Sequence, residues 1–497
     1  MIVIARRFLI AMTTLSTLLI VVSGCMWLPP AAVTRADLGT SLQRFEQAYR
    51  KHPPTGEKVA EVNRAFDQAT LAFFLGNFGE VIKGIEAAAE MLRASAPTDA
   101  QRVAASLKLR LTPSAGRAGN ATPPTLRLTS MYEVALSEDQ EIELRLRVLD
   151  HAGLIVHEQP LRVIGSASTR IDLTANLELD PAKLTAQDYR LELIADRESF
   201  FLLRWPVTTE TLTRLRAVNT TRLEKLSAST PALEQAMAST RARNALLLDP
   251  PAEDRVIEFI TERSALATSV ANEVERLEAE ENPFLLRKGN YWRVFKRAGD
   301  EVPLRIYCPE SLDLSKPVPL VVAFHGYGGD ENLFPDGYGA GTILKLAEQH
   351  GFLLVCPLTY PFMNSPAVLD RLLEVIGYDY PIDLARVYLM GHSLGAACAA
   401  SIAPRRADRI AGMCLFAGGG NLPDADTLPP TIVFLGGLDL VSPPSRSRPA
   451  VQRAIEKGLP VTLREKPDLG HTILVGESLG EGTAFLMEQR LDSARRK

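Results

Sequence analysis

The sequence predicts a multidomain chain. Its C-terminal part is an α/β domain on a mostly parallel, doubly wound sheet, with helical and β-sandwich-like regions before it. Three observations carry this. Apolar runs such as Pro319–Phe324 have the character of strands buried on both faces of a parallel sheet, and from there to Leu491 they alternate with helical segments. Between about 103 and 207 the apolar residues recur with period two. On either side of that stretch they recur with the period of an amphipathic helix. At 497 residues the chain has room for several such units, and a net charge of −4 gives it no basic field for nucleic acid.

The first residues read as a targeting segment. Arg6 and Arg7 precede an uncharged apolar run, Phe8 to Val22, too short to span a bilayer comfortably. Val22-Ser23-Gly24-Cys25 then resembles the signal of a bacterial lipoprotein. The resemblance implies that residues 1–24 are removed and that Cys25 is lipidated. Residues 25–34 would then tether an exported chain to a cell-envelope membrane, durably if several acyl chains are attached. A plain membrane anchor with an incidental cysteine would give the same address.

Residues 35–100 read as packed helices. Leu38, Leu42, Phe45 and Tyr49 form one stripe, and Val59, Val62, Phe66, Ala69 and Phe73 a second after the break at His52-Pro53-Pro54. Gly76-Asn77 separates a third, Phe78, Ile82, Ile85, Ala89 and Leu92. Residues 103–207 alternate, as in Leu107, Leu109, Leu111 and in Ile142, Leu144, Leu146, Val148. Turn signals such as Asp180-Pro181 divide them, which fits a sandwich of roughly seven short strands. Residues 208–282 return to helix, with Val256, Ile260, Ala267, Val270, Val274 and Leu277 on one stripe. Three jobs are open to residues 35–282: a spacer, a platform for a protein partner, or a cap that guides substrate.

The rest of the chain carries the chemistry. Gly391-His392-Ser393-Leu394-Gly395 follows the apolar run Ala385–Met390 and precedes a small-residue helix from Ala396 to Ile402. Strand, tight turn and helix in that order lift one side chain above the end of a sheet. The helix behind it aims its first N–H groups at whatever the serine holds. In this context the motif resembles the nucleophile elbow of the α/β-hydrolase superfamily. The resemblance covers roughly residues 290–490, within a catalytic domain expected over residues 288–497.

That resemblance implies a serine nucleophile, Ser393, with its acid and histidine after later strands. Asp439 follows the strand Thr431–Leu435 and His471 follows the last strand, so both stand where the family places them. Asp468, on the histidine's own loop, is the competing acid. His325-Gly326-Tyr327-Gly328-Gly329 follows the third strand, where the family builds its oxyanion hole. The implied donors are the N–H groups of Tyr327, Gly326 and Leu394. His325 reads as a brace for that loop. Phe334, Tyr338, Tyr360 and Phe362 are the candidates for a substrate pocket.

The segment Tyr380–Ser393 resembles the entry into the elbow of compact esterases of the polyhydroxyalkanoate-depolymerase and feruloyl-esterase type, and of prolyl-oligopeptidase-like hydrolases. In these the Asp before the strand is structural, which assigns that role to Asp383. The family often has Met-Gly-Gly after the serine, where this chain has Leu-Gly-Ala. The expectation is therefore an exported, membrane-tethered serine hydrolase acting on a small carboxylic ester through an acyl-enzyme, without cofactor or metal. A serine peptidase is the alternative, though a β-region of about 100 residues is too small for a β-propeller. The other alternative is a non-catalytic envelope interaction protein on a hydrolase scaffold. Cys308, Cys356, Cys398 and Cys414 fit buried thiols, and an exported protein also permits a disulfide.

Overall fold

A computed structural model of the chain describes residues 33–491, apart from 120–122, 137, 166–169, 181–182, 252–261, 298, 364, 420–421 and 423–426. The signal segment, Cys25, most of the tether, Pro181, Val256 and Ile260 lie outside the described residues.

The three predicted N-terminal stripes become helices α1 (Arg35–Lys51), α2 (Glu57–Phe74) and α3 (Phe78–Glu90). Thr34 starts α1 with a capping box: its hydroxyl accepts the Asp37 N–H while the Asp37 carboxylate accepts its own N–H. Asn77 caps α3 in the same sense, accepting the Glu80 N–H. A further helix, α4 (Asp99–Ser106), runs past residue 103, so the period-two region begins instead at Leu107. Thr98 and Gln101 form the capping box that starts it.

Strands β1 (Leu107–Thr112), β2 (Gly116–Arg117), β3 (Thr125–Ser130), β4 (Gln140–Leu149), β5 (Ile155–Gly165), β6 (Asp172–Asn176), β7 (Gln187–Ala195) and β8 (Glu198–Thr208) follow. They form a three-stranded sheet, β1-β3-β6, and a five-stranded sheet, β2-β8-β7-β4-β5. Alternation along β4 buries Ile142, Leu144, Leu146 and Val148 while the residues between face outward. A separate core, including Leu109, Leu126, Leu146 and Trp205, belongs to this region.

Helices α5 (Leu212–Glu224), α6 (Pro231–Ala245) and α7 (Arg263–Glu278) come next. The expected stripe on α7 is buried at Ala267, Val270, Val274 and Leu277. These helices are fixed to the following sheet rather than strung between domains. Ser239 and Gln235 of α6 both donate to the Val294 carbonyl, at 2.7 and 2.8 Å. Arg243 pairs with Glu273 inside the helical layer, at 2.9 Å and with both side chains buried.

The last sheet has eight strands: β9 (Gly289–Arg297), β10 (Asp300–Cys308), β11 (Val318–Phe324), β12 (Leu353–Pro357), β13 (Ile382–His392), β14 (Gly412–Phe416), β15 (Thr431–Gly436) and β16 (Val461–Lys466). Their order is β16-β15-β14-β13-β11-β12-β10-β9, with β9 and β10 antiparallel to their neighbours and the rest parallel. Helices α8 (Thr342–His350), α9 (Pro366–Gly377), α10 (Leu394–Ile402), α11 (Pro444–Glu456) and α12 (Ile473–Met487) connect and follow these strands. The last of these helices starts at Ile473. Gly476, Gly480 and Gly482 weaken its helical signal in the sequence.

Two cores sandwich this sheet. One joins α5–α7 to residues such as Val294, Val322 and Leu389. The other runs without a break from Phe45, Val62, Phe66 and Ile85 of α1–α3 into Val321, Ala323, Tyr388 and Met390 of the sheet. The N-terminal helices and the α/β part therefore share one hydrophobic interior. Cys308, Cys356, Cys398 and Cys414 are free and buried, and burial raises each thiol's pKa, that of Cys308 to about 11.

Candidate active site

Strand register assembles the site. β11 and β13 pair in parallel with Phe324 opposite Gly391, so the chain leaves both strands side by side at their C-terminal ends. His325-Gly326 and His392-Ser393 therefore emerge next to each other. β14, β15 and β16 continue the parallel set, which brings the loops after Gly436 and Lys466 to the same edge. This is where open α/β sheets place ligands.

Ser393 sits at φ 53° and ψ −112°, between the end of β13 and the start of α10. Positive φ is costly for a residue with a Cβ. The turn is held by the Ser393 N–H, which donates to the Phe416 carbonyl at 2.9 Å. The flanking glycines are required sterically. A Cβ on Gly391 would lie 2.3 Å from the Gly395 carbonyl oxygen, and one on Gly395 would lie 2.0 Å from that of Phe324. Leu394 opens α10, so its N–H is among the helix's first four, which have no intrahelical acceptor.

His471 is buried, and its Nδ1 lies 2.8 Å from Asp439 Oδ2. The second Asp439 oxygen accepts the N–H groups of Val441 and Ser442, at 2.9 and 2.6 Å, which fixes the carboxylate. Asp468 is exposed on the loop after β16. The structure thus brings His471 and Asp439 together and leaves the competing acid in solvent.

Helix α2 holds both of these loops. Asp67 Oδ1 accepts the His471 N–H at 2.8 Å, and Oδ2 accepts the Leu440 N–H at 3.0 Å. Asn63, one turn earlier, accepts the Gly470 N–H at 2.8 Å. A Cβ on Gly470 would stand 2.4 Å from Asp67, so only glycine admits this approach. Burial pushes the Asp67 carboxyl up to about 6, against the pull of its two N–H donors. Sequence reasoning missed these positioning residues. The available signal was a polar pair at i, i+4 beside the apolar stripe of Val62, Phe66 and Ala69.

The His325–Gly329 loop is braced on both sides. Thr359 donates its N–H to His325 Nε2 at 2.9 Å, so the ring proton sits on Nδ1 and is given to the Gly326 carbonyl at 2.7 Å. His392 is placed in the opposite tautomer. Its Nε2 faces the His471 carbonyl at 3.1 Å and must donate, while Nδ1 accepts the Tyr338 hydroxyl at 2.7 Å. Burial holds both rings neutral, with His325 lowered to about 4 and His392 well below its ordinary value. The buried Asp383 accepts the Ala385 N–H at 2.9 Å and pairs with Arg386, far from this edge.

Ser393, His471, Gly326 and Tyr327 line one cavity of about 170 Å³. Its opposite wall is helices α1–α3. Of the pocket candidates, Tyr338 lines this cavity and the other three lie outside its wall. Phe334 packs edge-on against Tyr338 at 4.9 Å, and Phe362 packs on Phe295 and Phe324 in the other core. Tyr360 is partly exposed and its hydroxyl accepts the Gly328 N–H at 2.7 Å, which makes it a support of the His325–Gly329 loop. Among the described residues no cluster of three or more His, Cys, Asp or Glu could hold a metal ion.

No protein-family model matches the chain, and no curated protein matches it. Solved structures with similarity include an S-formylglutathione hydrolase from Agrobacterium tumefaciens, 18% identical, covering 41% of this chain and 97% of that one with a TM-score of 0.35. A CE1 ferulic acid esterase from Anaeromyces mucronatus is 16% identical, with 40% and 90% covered and a TM-score of 0.34. A thermostable esterase is 24% identical over 40% of this chain, with a TM-score of 0.32, and the chain spans 63% of its length. These likenesses are weak in sequence and in superposition.

Proposed function

We propose that this chain is a serine hydrolase of the α/β-hydrolase type that cleaves small carboxylic esters. The observation that carries the proposal is the 2.8 Å contact between His471 Nδ1 and Asp439, with His471 sharing a cavity wall with the strained Ser393. With Nδ1 turned to the carboxylate, Nε2 is the nitrogen left to take the Ser393 proton. The freed alkoxide attacks the ester carbonyl. The N–H groups of Tyr327 and Leu394, with that of Gly326, receive the oxyanion, and such donors are worth about 3 kcal/mol each in the transition state. Asp439 stabilises the imidazolium, which then protonates the departing alcohol. Water deprotonated by His471 releases the acid from the acyl-enzyme.

Hydrolysis of p-nitrophenyl butyrate by the wild type and by Ser393→Ala tests this. The variant should lose at least about 10⁴-fold in kcat. Equal rates would place the chemistry elsewhere.

Export and tethering are proposed from Arg6, Arg7 and the lipoprotein-like Val22–Cys25. Cys25→Ser should move the protein from membrane to soluble fractions, and unchanged fractionation would refute lipidation at Cys25. Among the described residues no helix is long and apolar enough to cross a membrane.

A further inference from the structure

The cavity has two unlike walls. One carries the reacting groups, Ser393 and His471, beside the Gly326–Asp330 loop. The other is supplied by the N-terminal helices: Leu38 and Leu42 of α1, Phe66 and Phe73 of α2, Val81 and Ile85 of α3. Phe66, Val81 and Ile85 are almost fully buried, so the apolar wall continues into the core beneath it.

The charges on this cavity are occupied with one another. Arg35 donates to the Gly328 carbonyl at 2.8 Å and lies 3.7 Å from Asp330. Asp336 is paired with the buried Arg305 at 2.9 Å. Among the described residues that line the cavity, no unpaired cation is thus offered to an acidic substrate. At the rim Phe74 stacks on Tyr327 with ring centroids 5.9 Å apart, and both rings are partly exposed. An apolar edge leads into an apolar interior that reaches the nucleophile.

A site for formyl or acetyl esters alone has no use for such a wall. We infer that the α1–α3 wall is a binding site for an unbranched aliphatic chain, so that the substrate is an ester carrying a chain of several carbons next to the reacting carbonyl. This deepens the ester-hydrolase proposal and rests on it.

The test uses the full-length protein and two soluble ester series. One is p-nitrophenyl acetate, butyrate, hexanoate and octanoate, with the benzoate. The other is ethyl to octyl acetate, followed by proton release. In one of the two series kcat/KM should rise about threefold to fourfold per added methylene until the cavity is full, and the series that rises locates the chain on the acyl or the alcohol side. Ile85→Trp, which fills the α3 wall, should cut the preference for the longest over the shortest ester by about tenfold or more. Phe73→Ala, which opens the wall instead, should shift the optimum chain length upward and serves if Ile85→Trp does not fold.

Fluorophosphonate labelling of Ser393 accompanies every sample. A labelled enzyme with flat or falling profiles in both series, or with highest activity on the benzoate, overturns the aliphatic site and leaves the hydrolase proposal standing. Absence of labelling and of hydrolysis removes the hydrolase proposal and this inference with it.

Discussion

Asp67 and His471 are joined through the backbone: the carboxylate on α2 accepts the histidine's N–H at 2.8 Å and, with its other oxygen, the N–H of Leu440 at 3.0 Å. Asp439 immediately precedes Leu440, so one side chain from the N-terminal helices spans the loops that carry both Asp439 and His471. Misplacing a reacting group by about 1 Å can cost roughly 10²-fold. Asp67→Ala should therefore lower kcat by about 10- to 100-fold with a smaller change in KM. Asp67→Asn, which keeps one acceptor oxygen, should recover part of the loss. Unchanged kcat with a lowered melting temperature would reduce Asp67 to a purely structural role.

Glu46 gives the N-terminal helices a pH dependence of known sign. It accepts the Gly339 N–H at 3.1 Å, and burial pushes its carboxyl from 4.5 up to about 8, against the pull of Arg50 and with a further push from Glu477. A raised value means that the folded state holds the proton more tightly than the unfolded chain. The resulting stability is fully present below pH 4.5 and is lost as pH rises towards 8, at no more than about 1.4 kcal/mol per unit. Glu46→Gln removes this dependence. Its stability relative to wild type should grow between pH 5 and 8 and then level off in urea denaturation. A difference that does not vary with pH would contradict the assignment.

The two candidate acids separate by kinetics. Asp439 lies 2.8 Å from His471 Nδ1, while Asp468 is exposed. Asp439→Asn should reduce kcat by about 10⁴-fold through the wrong tautomer. Asp468→Asn should stay within a few-fold of wild type, and the reverse ranking would transfer the role.

The elbow stores strain that its serine requires. At φ 53° and ψ −112° Ser393 has the dihedral angles of the first central position of a type II′ turn, which favour glycine. Ser393→Gly should therefore abolish turnover while raising stability by about 1 kcal/mol, whereas Ser393→Ala keeps the Cβ and gains nothing comparable. Equal stability of the two variants would show that the backbone there is relaxed.

These contrasts mark what a sequence can carry. The elbow was legible because Gly391, Ser393 and Gly395 are adjacent and each answers a local steric demand. Asp439 and His471 were legible because they follow strands whose order fixes where they emerge. The cap was not. The stripe of Val62, Phe66 and Phe73 says that one face of α2 is buried, and it says nothing of what covers that face. That Asn63 and Asp67 reach loops some 400 positions away in sequence is a property of packing. Aromatic character alone does not say which side chains face the cavity: Phe334 and Phe362 turn into the cores, and the wall opposite Ser393 comes from α1–α3.

The central claim is that Ser393 is an activated nucleophile. Labelling of the purified wild type and of Ser393→Ala with a fluorophosphonate probe tests it without presuming a substrate. The account predicts covalent labelling of the wild type and none of the variant. Labelling of neither, or of both alike, would contradict it.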